Sequence, residues 1–141
     1  MRLLNYHVFK SCEINTMTVN QYLQELICTL HEQCTQQAPF NSDQMSETDQ
    51  AFIDSLSTLR QKSSVCEDHY VIGQQLIGQI IANYPHITPL INRDLLWLLG
   101  GDALHYLADE EISLYQQVED KLYEQANGDF KSIKANLLSL H

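Results

Sequence analysis

Apolar residues recur at helical spacing along most of the chain, and each run follows a recognisable helix start. The first start is the sequence TVNQ at residues 18–21, a capping box in which Thr18 accepts from the third amide and Gln21 reaches back. This helix is predicted to reach about Gln37, because Pro39 and Asn41 signal a loop. Its apolar stripe comprises Val19, Tyr22, Leu23, Leu26, Ile27, Leu30 and Cys34.

Two more helices follow the same logic. SETD at residues 46–49 begins the second helix, and SVCE at residues 64–67 reads as a capping box that opens the third. The third helix should end near Asn83, because Pro85 disfavours helical geometry at Tyr84. The apolar positions are Phe52, Ile53, Leu56 and Leu59 in the second helix, and Tyr70, Ile72, Gly73, Leu76, Ile77, Ile80 and Ile81 in the third.

The fourth predicted helix is the most hydrophobic. Thr88 and Pro89 fit an N-cap followed by proline at the first helical position, so the helix should begin near Pro89. Gly100 and Gly101 then fall within its apolar run. They indicate either a close helix crossing or a break, with Gly100 ending one helix and Asp102 capping a new turn. A catalytic loop at these glycines is the third possibility.

A fifth helix should begin at LADEE, residues 107–111, where acidic side chains suit the positive end of the helix dipole. Asn127 and Gly128 form its expected C-cap, and a short final helix follows. The predicted inner stripe of the fifth helix is Ile112, Tyr115, Val118, Leu122 and Ala126, the outer stripe is Glu110, Ser113, Gln117, Asp120 and Glu124, and the final helix turns Phe130, Ile133, Leu137 and Leu140 inward.

These elements predict an all-α fold, a compact single-domain bundle of five or six helices with residues 89–107 at its centre. Residues 1–17 show no clean periodicity and are predicted to be an irregular N-terminal segment or tail, and residues 18–141 the helical domain. Residues 1–17 also lack the uninterrupted apolar stretch of a secretory signal, and no later segment reaches membrane-spanning length. Together with four sparse cysteines, this favours a cytoplasmic protein with reduced thiols and no membrane partner.

The charge is strongly acidic. The chain has eighteen acidic and eight basic residues, for a formal net charge of −10, and residues 102–129 alone hold eight acidic residues and one lysine, Lys121. Such a field repels nucleic-acid phosphates, so direct nucleic-acid binding is not expected. It favours solubility and basic partners. A charge run of this kind is also typical of a merely solvated helix face.

A catalytic alternative rests on Asp102 and His105, which lie three residues apart and could touch on a helix. An aspartate can orient an imidazole for general-base work, and Glu110 or Glu111 could supply a further carboxylate. The chain has no nucleophile elbow and no phosphate-binding glycine loop, so these four residues equally fit capping or hydrogen-bonded structural roles.

A metal-binding alternative rests on two C-x-x-H sequences, CTLH at residues 28–31 and CEDH at residues 66–69. Two such pairs facing each other would form a tetrahedral zinc site of Cys28, His31, Cys66 and His69. Cysteine is also common in protein cores, so the spacing fits structural side chains as well. E-x-x-H and C-x-x-C-H motifs are absent from the sequence, and we predict no cofactor.

The leading interpretation is a small cytoplasmic interaction or regulatory protein rather than an enzyme. Its acidic helix would meet a protein partner with a basic surface, and a mimic of nucleic acid that occupies a basic groove is one version of this. The predicted interaction face comprises Asp109, Glu110, Gln117, Asp120 and Glu124.

Overall fold

The computed structural model describes residues 18–125 and 128–139. These residues form helices and loops without any strand, so the all-α prediction is confirmed for this part of the chain. They include eight helical segments, more than the five or six predicted, because two of them are short 3₁₀ helices near the fourth α-helix. The predicted irregular segment at residues 1–17 lies outside the described residues. The α-helices are α1 Val19–Thr35, α2 Glu47–Gln61, α3 Glu67–Asn83, α4 Arg93–Leu99, α5 Asp109–Glu124 and α6 Phe130–Ser139, and the 3₁₀ helices are Thr88–Leu90 and Gly101–Tyr106.

The first two helix starts are confirmed, and both are capping boxes in the structure. The amide of Gln21 donates to Thr18 Oγ1 at 2.9 Å, and the Thr18 amide donates back to Gln21 Oε1 at 2.8 Å. At α2, the Asp49 amide donates to Ser46 Oγ at 3.1 Å, and Asp49 Oδ2 accepts from the Ser46 amide at 3.0 Å. Both motifs satisfy amides that have no partner inside the helix, so local sequence is sufficient to place these starts.

The start of α3 differs from the predicted one. Helix α3 begins at Glu67 with Cys66 as its N-cap, two residues after the expected cap Ser64. The imidazole Nδ1 of His69 accepts from the Cys66 amide at 3.1 Å and takes the place expected for Glu67. His69 is fully buried, so tertiary packing selects this cap over the local serine signal.

The fourth helix is shorter than predicted, and it breaks at the glycines. Residues 88–90 form a 3₁₀ turn, and α4 begins at Arg93, where the Asp94 amide donates to Asn92 Oδ1 at 2.7 Å. Helix α4 ends at Leu99, because Gly100 and Gly101 take positive φ values of 68° and 56°. The break is therefore confirmed, although the following 3₁₀ helix begins at Gly101 and Asp102 lies inside it.

Close approach of two elements occurs at Gly73, a glycine that the sequence analysis assigned only to a stripe. A Cβ atom at Gly73 would lie 2.8 Å from Leu99 Cδ2, so α3 and α4 pack closely here and a larger residue would displace the Leu99 side chain. Nearby, Gln74 Nε2 donates to the Leu99 carbonyl at 2.9 Å and closes the end of α4. A Cβ atom at Gly101 would overlap this Gln74 amide at 2.6 Å.

The chain groups into two compact units, and each has its own core. In the unit Leu23–Tyr106, the rings of Phe40, Phe52 and Tyr84 pack with centroids 4.9 to 5.3 Å apart. Of the described residues, the other unit comprises 18–22, 107–125 and 128–139, and there the Phe130 ring lies 5.5 Å from that of Tyr22. None of the described helices is long and apolar enough to cross a membrane.

Candidate functional site

Helix α5 separates its apolar and polar residues cleanly. Its start is fixed by Glu111, whose Oε1 accepts from the Ala108 amide at 2.9 Å, and three acidic residues occupy its first turn. Tyr115, Val118 and Leu122 are buried, as the inner stripe predicts, and Ile112 is half-buried. Ala126, the last predicted member of that stripe, lies outside the described residues, and the helix ends at Glu124 with Gln125 as its cap.

The outer stripe of α5 is exposed along the whole helix. The Lys121 ammonium lies 3.9 Å from Glu124 Oε1, but both side chains are about half exposed or more, so this ion pair contributes little. The carboxylates of this face therefore remain in water and project a negative field. The exposed members of the predicted interaction face are Asp109, Glu110, Gln117, Asp120 and Glu124.

An exposed aromatic residue completes this surface, and the sequence analysis missed it. Tyr123 is 76% exposed, and no other exposed large apolar side chain of the described residues is as accessible to solvent. Its helical neighbours three and four residues earlier are Asp120 and Glu119. A signal was present in the sequence, because Tyr123 falls outside the inner stripe of α5, where an aromatic ring has no core to enter.

Helix α6 holds α5 through the opposite face. The rings of Tyr115 and Phe130 lie 6.2 Å apart, and the Lys134 ammonium sits 5.0 Å from the centroid of the Tyr115 ring. Lys134 Nζ also donates to the Tyr115 hydroxyl at 3.2 Å. Phe130, Ile133 and Leu137 are buried as predicted. The buried residues of α5 therefore lie on the inner stripe, and the residues of the outer stripe are exposed.

The residues of the catalytic alternative do not form an oriented acid–base pair. Asp102 and His105 are both exposed on the 3₁₀ helix Gly101–Tyr106, and no hydrogen bond or ion pair links them in the described structure. Glu110 is exposed on α5, and Glu111 serves as the cap acceptor. An imidazole in water without a fixed carboxylate partner is not held in one tautomer for general-base work.

The residues of the metal alternative have other partners. His69 uses both ring nitrogens, Nδ1 with the Cys66 amide and Nε2 with Gln24 Oε1 at 2.8 Å. His31 Nδ1 lies 2.9 Å from Arg60 Nη1, and Cys28 is half-buried. Within the described ranges, no group of three or more His, Cys, Asp or Glu side chains is placed to hold a metal ion. The two C-x-x-H pairs therefore do not converge on one centre.

A groove of about 490 Å³ lies between the first half of α2 and the end of α3. Its volume is within the range of small-molecule sites. Glu47 is its one ionisable side chain, and none of the residues predicted for catalysis, metal binding or interaction lines it. The lining residues are Glu47, Thr48, Ala51, Phe52, Ser55, Gln79 and Asn83.

No curated protein and no solved structure matches the chain. A family model described as PA2817-like matches residues 15–137, which include every α-helix of the described structure almost to its end. The chain therefore belongs to the PA2817-like family.

Proposed function

We propose that this protein is a small cytoplasmic interaction or regulatory module that binds a basic surface of a partner protein through α5. One observation carries the proposal: a tyrosine that is 76% exposed lies beside the exposed carboxylates of α5, on a helix whose buried residues are Tyr115, Val118 and Leu122. Tyrosine is enriched at the centres of protein interfaces, where its ring buries area and its hydroxyl finds a partner.

The two kinds of side chain would have different roles in binding. The carboxylates of Asp109, Glu110, Asp120 and Glu124 would accelerate encounter with a basic partner and reject acidic ones. Tyr123 would supply the contact that slows dissociation, because a buried aromatic ring contributes more to affinity than a rim charge does. Nucleic acid is not an expected partner, since its phosphates carry the same sign of charge.

The thiols support the proposed compartment. Cys28, Cys34 and Cys66 are free, and burial raises the pKa of the Cys34 thiol to about 12, which keeps it protonated and unreactive. Free cysteines persist in reducing compartments, which supports a cytoplasmic role.

The test compares two triple variants of equal charge. In the first, Glu110→Gln, Asp120→Asn and Glu124→Gln neutralise the outer stripe of α5. The control, Asp43→Asn, Glu47→Gln and Asp54→Asn, neutralises three exposed acids of the other unit. Glu47 is matched to Glu110, because each lies in the first turn of its helix.

Both variants and the wild type are used to recover partners from a cell lysate at low and high salt. We expect the wild type and the control to retain the same basic protein at low salt and to lose it as salt rises, and the α5 variant to recover much less. Equal recovery by all three proteins, unaffected by salt, would show that α5 is only a solvated face.

A further inference from the structure

Two histidines in the unit Leu23–Tyr106 accept hydrogen bonds from groups that can only donate. His69 Nδ1 lies 3.1 Å from the Cys66 backbone amide, and His31 Nδ1 lies 2.9 Å from Arg60 Nη1. A backbone N–H and a guanidinium have no acceptor, so each Nδ1 must carry a lone pair rather than a proton. Both contacts therefore require a neutral imidazole.

These histidines tie three helices together. With Nδ1 unprotonated, the neutral ring of His69 has its proton on Nε2, which donates to Gln24 Oε1 at 2.8 Å. The amide nitrogen of Gln24 donates in turn to the carbonyls of Leu59 at 3.2 Å and Arg60 at 2.8 Å. Gln24 of α1 thus joins the last turn of α2 to the first turn of α3, and His31 joins the same α1 to the Arg60 side chain.

The surroundings oppose a positive charge at either ring. His69 is fully buried, and burial lowers the pKa of its imidazole. Of the charges that act on His69, Lys62 disfavours protonation and Asp68 favours it, and these two side chains lie 3.9 Å apart. The Cys66 thiol, 3.6 Å from Nδ1, is the titratable side chain in contact with the ring.

His31 has a similar environment. Burial and then the Arg60 guanidinium lower the pKa of this imidazole, and Glu32 acts in the opposite direction. Arg60 Nη2 is held by Glu32 Oε2 at 3.0 Å, so the guanidinium stays beside His31. Protonation of His31 would place a donor against a donor and a cation against a cation.

We propose that His31 and His69 form a pH-sensitive latch: while both rings are neutral, His31 fastens α1 to Arg60 at the end of α2 and His69 caps the first turn of α3, and protonation breaks both contacts. A histidine pair of this kind is a switch because its charge changes within the physiological range. Protonation would free the Cys66 amide and so loosen the first turn of α3, whereas the bond from His69 Nε2 to Gln24 would remain, because that nitrogen keeps its hydrogen. This latch is independent of the function proposed for α5.

Two other histidines provide an internal contrast. His86 Nε2 lies 2.6 Å from the Ala38 carbonyl and donates to it, and this bond survives protonation because the nitrogen keeps its hydrogen. His105 is exposed. In the described structure, neither of these two rings accepts a hydrogen bond that holds α1, α2 and α3 together.

The direction of the pH effect follows from linkage. Both folded pKa values lie below the ordinary value of 6.5, so the unfolded chain binds more protons as the pH falls. The stability supplied by the latch is present above about pH 6.5 and decreases as the pH falls toward and through the folded pKa values. The titration of Asp49 does not overlap this pH range, since hydrogen bonds from Tyr84 and Ser46 hold its carboxyl pKa below the ordinary value.

The test is an NMR titration of the wild-type imidazoles, combined with hydrogen exchange of the Cys66 amide. We expect His31 and His69 to be Nε2-protonated tautomers at neutral pH and to titrate below the ordinary histidine pKa of 6.5. Exchange at Cys66, corrected for its intrinsic pH dependence, should accelerate about tenfold for each pH unit below 6.5 until the folded pKa is passed.

The paired variant His31→Gln with His69→Gln cannot titrate but keeps an acceptor oxygen, and glutamine is a favoured residue at the third helical position in capping boxes. It should abolish the acid-induced acceleration, and the control His105→Gln should leave it unchanged. Titration of His31 and His69 at or above the ordinary histidine pKa of 6.5, or unchanged Cys66 protection on acidification of the wild type, would overturn the proposal. The wild-type measurement decides even if the paired variant does not fold.

Discussion

Helix α4, with the glycines that follow it, and the acidic helix α5 both suggested function from their sequences, and they differ in what surrounds them. In α4, six of the seven residues are buried, and the glycines that follow end the helix. In α5, three of sixteen residues are buried, and acidic side chains cover the outer face. An apolar run with glycines is explained by packing, whereas an exposed aromatic among carboxylates has no role in the core. The unexplained surface is therefore on α5.

The largest expected effect is in α4. Leu98 is 1% exposed, so Leu98→Ala should remove packed methyl groups and leave a cavity, lowering the free energy of unfolding by about 2–5 kcal/mol. Leu98→Met, which nearly conserves volume, should cost less than about 1.5 kcal/mol. Urea unfolding measures both. If both variants lost an equally small amount of unfolding free energy, α4 would not be a tightly packed centre.

The glycine after α4 should show a smaller effect. Gly101 has φ 56°, and a methyl group there would overlap Gln74, so Gly101→Ala should destabilise by roughly 1–2 kcal/mol. Gly78→Ala is the control, because nothing lies within 4 Å of its Cβ position in α3, and it should stabilise by up to about 1 kcal/mol. Unfolding curves that shift in the same direction for both would contradict a structural role specific to Gly101.

The smallest expected effect on stability is at the acidic face. Glu110→Gln, Asp120→Asn and Glu124→Gln should each change the free energy of unfolding by no more than about 0.5 kcal/mol, because surface substitutions without buried partners rarely exceed this. Thermal unfolding of the triple variant and the matched control variant measures this. A large loss confined to the α5 variant would mean that these acids stabilise the fold, and their value as evidence for binding would disappear.

Local sequence predicts the parts of this fold that depend on local chemistry. The capping boxes at Thr18 and Ser46 use side chains three residues away, so spacing alone identifies them. The inner and outer stripes of α5 also follow from the helical period. The helix start predicted at Thr88 and Pro89 was wrong, although a TP sequence is typical of a helix start. Thr88 opens a 3₁₀ turn, and Asn92 caps α4.

The remaining features depend on partners distant in the chain. The cap of α3 uses His69 because Gln24, 45 residues earlier, holds the other side of its ring. The small size of Gly73 matters because the Leu99 side chain packs against it. Tyr123 differs from these two, because the helical period of α5 already places it outside the inner stripe. The spacing of residues within one helix cannot predict contacts such as those of His69 with Gln24 and of Gly73 with Leu99.

The most direct test of the role of α5 is site-specific photo-cross-linking in cells. A photoreactive amino acid replaces Gln117, on the outer stripe of α5, and in a matched protein it replaces Gln75, an exposed glutamine of α3. We predict one dominant adduct with a basic protein from position 117 and none from position 75. That adduct should also be lost on Tyr123→Ser. Adducts of equal yield from both positions, or no adduct at 117, would contradict the proposal that α5 is the interaction surface.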